Sequence, residues 1–153
     1  MGTPRLLKSG LVDVTYGEGV TIVEPANCYG CTLGDNVFVG PFTEIQRDVT
    51  IGARSRIQSH TFICSLVTIG TDCFIAHGVM FINDLFERGG PAGTPEGWKG
   101  TTIGNRVSIG SNATILPVSI CDDVVVGAGA VVTKDITQSG VYAGNPARLL
   151  RAR

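Results

Sequence analysis

The stretch VTIGTDCFIAHGVMFIND, Val67–Asp84, places Ile69, Ile75 and Phe81 six residues apart. A half-buried strand repeats its apolar positions every two residues and an α-helix every 3.6, so neither produces a period of six. Reading outward, the aliphatic position recurs from Leu33 through Val39, Ile45, Ile51, Ile57 and Ile63 to Ile69, Ile75 and Phe81 without a gap. Four residues after each comes a second series, Val37, Thr43, Val49, Ser55, Thr61, Val67, Cys73 and Val79. All are small or β-branched and favour strands.

Each residue of the second series lies two before the next aliphatic, so both point inward from one short strand with a single outward residue between them. The other three residues turn the chain, and Gly34, Gly40, Gly52 and Gly70, with pairs such as Asp35-Asn36 and Thr71-Asp72, supply turn chemistry. Three strands and three corners return the chain to its starting direction, and the next coil stacks about 4.8 Å along the axis through sheet hydrogen bonds. The pattern therefore predicts an all-β, three-sided prism with a parallel sheet on each face, and an internal ladder containing Ile45, Ile63 and Phe81.

The rhythm stops after Phe81. The segment 82–101, rich in Gly and Pro and holding the single tryptophan, reads as one long loop, and loops of this length on a regular scaffold usually carry function. The repeat resumes at Ile103, Ile109 and Ile115, loses a residue at Pro117-Val118, and continues through Ile120, Val126 and Val132. The tail 137–153 is expected to leave the repeat, and Gly10 to Thr32 to form a less regular first coil of the kind that caps a solenoid. The whole chain, 1–153, reads as one domain.

Acidic and basic side chains nearly cancel, with 12 Lys and Arg against 13 Asp and Glu, which gives no global reason to expect nucleic acid or a membrane surface as partner. The N-terminal segment lacks an apolar signal core and no apolar run spans a bilayer, so the expectation is a soluble cytoplasmic protein. Five cysteines cannot all pair within one chain, and reduced thiols follow from that compartment. Cys28-Tyr-Gly-Cys31 is a lone CxxC: a zinc site is one reading, packed or turn cysteines the other, and no metal is expected.

The hexad series, the phrase VGAGAVVTKDI (Val126 to Ile136) and YAGNPAR (Tyr142 to Arg148) resemble the hexapeptide-repeat acyltransferases. That resemblance implies a left-handed parallel β-helix working as a homotrimer with acetyl-CoA as co-substrate. The handedness comes from the resemblance alone, since parallel crossovers are in general right-handed. HGVMFIND followed by a Gly/Pro loop is similar to the N-acetyltransferases that modify amines on nucleotide-linked sugars, especially UDP-2-acetamido-3-amino-2,3-dideoxyglucuronate. Members of that branch often continue from Asn-Asp to an aromatic and then Pro-Arg, whereas this chain reads Leu85-Phe86-Glu87-Arg88.

An amine attacking a thioester needs a held lone pair, an oxyanion partner and a proton acceptor, without a covalent enzyme intermediate. The resemblance assigns Asn83 to positioning the amine; the alternative is an ordinary loop-capping asparagine. Asp84 reads either as a partner for an ammonium or sugar hydroxyl, or as an exposed loop carboxylate. His77 is the candidate general base, the alternative being that it only hydrogen-bonds at its corner. His60, Phe81 and Trp98 are candidate substrate contacts; Trp98 and Phe86 pack either on a neighbouring subunit or on their own chain. Stacking every eighteen residues sets His60 under Gly78, beside His77. For the cofactor, Gly127 and Gly129 would let the pantetheine arm approach, while Lys134 and Arg148, with Arg151 and Arg153 as further cations, would meet its phosphates. Open alternatives are an O-acetyltransferase of serine or a sugar hydroxyl and a non-catalytic hexapeptide-repeat scaffold. A trimeric zinc enzyme holding three histidines per site is disfavoured, because two histidines per chain supply too few ligands.

Overall fold

The structure is a computed structural model that describes Gly2, Arg5 and residues 9–152. Among these residues the regular structure is strand, apart from a single 3-10 turn at Pro95–Gly97. The strands form three sheets of seven, six and eight members, and successive strands in the chain pass from one sheet to the next. We call these faces one, two and three. Phe62–Ile63 lies on face one, Val67–Ile69 on face two and Phe74–Ile75 on face three before Met80–Phe81 returns to face one. All ladders are parallel except the last, where Arg148–Ala152 turns back antiparallel on Gly140–Ala143. The molecule is the left-handed parallel β-helix that the hexads and the resemblance implied.

Register shows how regular the winding is. Phe62 pairs with Met80 and Arg56 with Phe74, eighteen residues apart, whereas Thr21 pairs with Phe38 and Thr102 with Ser119, seventeen apart. A corner can therefore lose one residue without breaking the stack, which accounts for Pro117-Val118. Where the loop is inserted, Val67 pairs directly with Thr101 and the sheet closes behind it.

The inside of the prism is the two sequence series. Ile45, Ile57, Ile63, Ile69 and Ile75 are fully buried, and the small series from Val37 to Val79 lies beside them. Its hydroxyls are satisfied by corner carbonyls: Thr61 Oγ1 donates to Gln58 O at 2.8 Å and Ser55 Oγ to Gly70 O at 2.8 Å. Corner glycines are set by the stacking distance, since a Cβ on Gly52 would come within 2.6 Å of the Gly70 carbonyl carbon in the next coil. Most corners also hold a left-handed residue, and side chains other than Asn, Asp or Gly take that role at Phe42, Arg54, His60, Leu66 and Arg106. The turn residues were expected; these five were not.

Two expectations change. Phe81 is 1% exposed and points into the core, so it has no surface to offer a substrate and belongs only to the internal ladder. The tail does not leave the sheet at once, because Val141 pairs in parallel with Val125 before the chain reverses. Arg153 lies outside the described residues. No helix among them is long and apolar enough to cross a membrane.

Candidate active site

The loop departs from the edge where face one meets face two, and three contacts fix its base, two to the coil beneath and one across the loop itself. Asn83 Nδ2 donates to Ser65 O at 3.3 Å, Lys99 N donates to Asn83 O at 2.8 Å, and Thr101 N donates to Leu66 O at 3.1 Å. Gly100 permits the closure, for a Cβ there would stand 2.9 Å from Leu66 O. With its Nδ2 engaged, the Asn83 amide presents Oδ1 as an acceptor.

Asp84 organises the loop: Oδ1 accepts from Phe86 N at 2.9 Å and Oδ2 from Ala92 N at 2.7 Å. Beyond it, a hollow of about 300 Å³ is lined by Asp84, Leu85, Arg88, Ala92, Trp98 and Lys99. Trp98 is half-buried against its own loop, Lys99 forms an ion pair with Glu87, and Phe86 stands 58% exposed.

The histidines occupy a different edge, between faces three and one. The His60 ring stacks on Phe42 with centroids 5.0 Å apart, and His77 Nδ1 lies 2.9 Å from Ser59 Oγ on the coil below. Gly78 N donates to Ser59 O, so His60 and His77 sit on adjacent coils in adjacent columns. If Nδ1–H of His77 donates to Ser59, its Nε2 carries a lone pair and can take a proton; the opposite tautomer makes Nε2 a donor. Six residues of chain separate His77 from Asn83 along one side of the prism, a span of about 15–20 Å at strand rise. One chain therefore does not bring the two together.

The cofactor candidates divide. Lys134 and Arg148 line one hollow with Tyr142, Ala147 and Leu149. Gly127 is packed by the chain itself, because a Cβ there would meet Ala143 Cβ at 2.9 Å, so its missing side chain is used within the fold. Gly129, in the left-handed region at φ +67°, has open space where a Cβ would go. Cys28, Cys31, Cys64 and Cys73 are buried free thiols. Burial pushes Cys28 and Cys64 up to about 12 and Cys31 to about 11, so none is a ready nucleophile at neutral pH.

Sequence reasoning missed Ser59, Ser65, Gln46 and Glu44. The eighteen-residue stacking held a signal for two of them, since it sets Ser59 beneath His77 and Ser65 beneath Asn83.

Comparison with known proteins bears on the repeats and the fold. The repeat family described as bacterial transferase hexapeptide (six repeats) matches residues 30–65, and the hexapeptide repeat of succinyl-transferase matches residues 100–134. The galactoside O-acetyltransferase of Escherichia coli K12 is 35% identical over 132 residues, covering 78% of this chain. The chain spans 63% of that relative's length, less than two thirds of it. Among solved structures, the hexapeptide-repeat acetyltransferase VCA0836 of Vibrio cholerae, complexed with acetyl coenzyme A, superposes with a TM-score of 0.65 at 26% identity, over 80% of this chain and 70% of that one. Perosamine N-acetyltransferase of Caulobacter crescentus, in complex with CoA and GDP-perosamine, shares the fold with a TM-score of 0.68 at 22% identity, over 94% and 58%. The coils before and after the loop, residues 30–65 and 100–134, thus match repeat models of the hexapeptide transferases.

Proposed function

We propose that the chain is an acetyl-CoA-dependent N-acetyltransferase acting on the amine of a nucleotide-linked amino sugar. The observation that carries the reading is the Asn83 amide at the loop base, whose Nδ2 is given to Ser65 O, which leaves Oδ1 as the atom that can accept an N–H. An amine so held keeps its lone pair aimed at the thioester carbon. The C–N bond forms, the carbonyl oxygen takes the negative charge, and the C–S bond then breaks to release the thiolate of coenzyme A. The proton shed by nitrogen passes to Nε2 of His77. Lys134 and Arg148, which share a hollow, are suited to the cofactor phosphates. Solved relatives with CoA and GDP-perosamine, or with acetyl coenzyme A, support this choice of ligands.

The separation of His77 from Asn83 supports a homotrimer in which the histidine edge of one copy meets the loop edge of the next. A flat-sided prism offers little concavity by itself, and such a junction supplies it.

A hydroxyl acceptor is the second reading, favoured by the 35% identity to a galactoside O-acetyltransferase. The two separate on incubating the protein with acetyl-CoA and either UDP-, dTDP- and GDP-linked amino sugars or serine and galactosides, with mass spectrometry for an added acetyl group. Transfer confined to amines is the expected result. Transfer only to hydroxyls establishes the second reading, and no binding of acetyl-CoA by calorimetry leaves a non-catalytic scaffold.

A further inference from the structure

Two side chains and one backbone turn outside the loop converge on its base. Gln46 Nε2 donates to Glu44 Oε1 at 3.1 Å, and Gln46 Oε1 accepts from Ser65 N at 3.2 Å. Ser65 O in turn accepts from Asn83 Nδ2. Every bond in this series points the same way, from Asn83 through Ser65 and Gln46 to the Glu44 carboxylate. Ser65 is 4% exposed, and Leu66 beside it holds φ at +72°. The turn is thus over-determined: Gln46 anchors its amide, Asn83 its first carbonyl, and Thr101 N its second.

From this we infer that Gln46 is a positioning residue for Asn83, acting through the Ser65–Leu66 turn and oriented by Glu44. The orientation of the Gln46 amide is fixed by chemistry, because only its nitrogen can donate to a carboxylate and only its oxygen can accept from Ser65 N. The same logic passes along the turn. A firmly placed Ser65 carbonyl demands the Asn83 nitrogen, so Asn83 Oδ1 is the atom left for an incoming N–H. Between Ser65 N, Gln46 and the Glu44 charge the aligned bonds also polarise one another, which holds the amide of the turn more firmly. The inference rests on the proposed role of Asn83, but its geometric half does not depend on catalysis.

The test uses the full chain as Gln46→Leu and Gln46→Glu variants. The leucine variant removes both bonds of Gln46; the glutamate variant keeps an oxygen for Ser65 N and loses the donor to Glu44. Heteronuclear NMR of the Asn83 side-chain amide should show a displaced pair of resonances in the leucine variant and a smaller displacement in the glutamate variant. For the best acceptor of the panel above, kcat should fall about tenfold in the leucine variant, as for one lost hydrogen bond, with KM for acetyl-CoA unchanged and partial recovery in the glutamate variant. Unmoved Asn83 resonances overturn the inference whatever the activity. So do displaced resonances with unchanged kcat, or an equal loss in both variants. If the parent chain acetylates nothing, the proposed function falls, and the NMR signal alone still decides whether Gln46 holds Asn83.

Discussion

Along the edge between faces two and three, charged corner residues answer one another coil by coil; along the edges that flank face one, they do not. Arg54 meets both oxygens of Asp72 at 2.7 Å, and Arg106 meets both oxygens of Asp123 at 2.9 and 2.8 Å. Beside them, Asp122 and Asn105 side chains receive backbone N–H groups at 2.8 and 2.9 Å. That edge is a staple. The edges of face one instead hold an exposed Phe42–His60 stack, the half-buried Asn83 and the Lys134–Arg148 hollow. Polar groups that complete each other locally mark architecture, and groups left facing outward mark the places where something else can bind.

The comparison holds only if the prism stands on its interior rather than on its staple. Replacing Ile63 by Ala should cost about 2–5 kcal/mol in denaturant unfolding, the range for a buried aliphatic that leaves a cavity. A loss comparable to that of a surface variant would show that the ladder of hexads does not hold the fold. On the open edge, Arg148→Ala should weaken acetyl-CoA binding about tenfold and reduce its dependence on salt, as for a lost charge-assisted phosphate contact. Equal salt slopes in both proteins would remove the arginine from the cofactor site.

Beneath the loop edge lie thiols that the open surface does not use, and their response to pH has a definite sign. Cys28 and Cys64 titrate near 12 and Cys31 near 11 in the folded chain, against an ordinary 9.0, chiefly because burial disfavours the thiolate. A raised folded pKa means stability that is complete below the unfolded value and drains away as pH rises from about 9 toward 12. Urea midpoints at about pH 8 and about pH 11 should therefore diverge, and by less in Cys64→Ala, which has one buried thiol fewer to ionise. Identical slopes would mean that Cys64 is not buried as a thiol. The smallest effect belongs to the staple: Arg54→Ala should leave the unfolding midpoint unchanged at physiological salt, because the pair is exposed and screened. A large loss there would blur the contrast between the edges.

Much of this arrangement was legible in the residues. Inward positions obey a strict period, so Ile69, Ile75 and their partners announce three faces, and the break after Phe81 announces the loop. Periodicity also settles Phe81 itself, which as a member of the inner ladder is not available to a substrate. What stayed hidden depends on contacts between coils that the period does not encode. Gly127 looks like space for a ligand until Ala143 is seen to fill it. The sheet's last strand, Gly140–Ala143, is hard to read because its coil is shortened: Val125 pairs with Val141, sixteen residues on. The Gln46 relay was out of reach as well, since nothing in a corner glutamine tells which neighbour its two ends will meet.

The most direct test of the account exploits the distance between His77 and Asn83. His77→Ala and Asn83→Ala chains should each be strongly impaired, and co-expressing them should restore about a quarter of the activity, the share of junctions that random assortment into a closed ring leaves with both residues intact. A mixture as inactive as its two parents would contradict a site shared between copies.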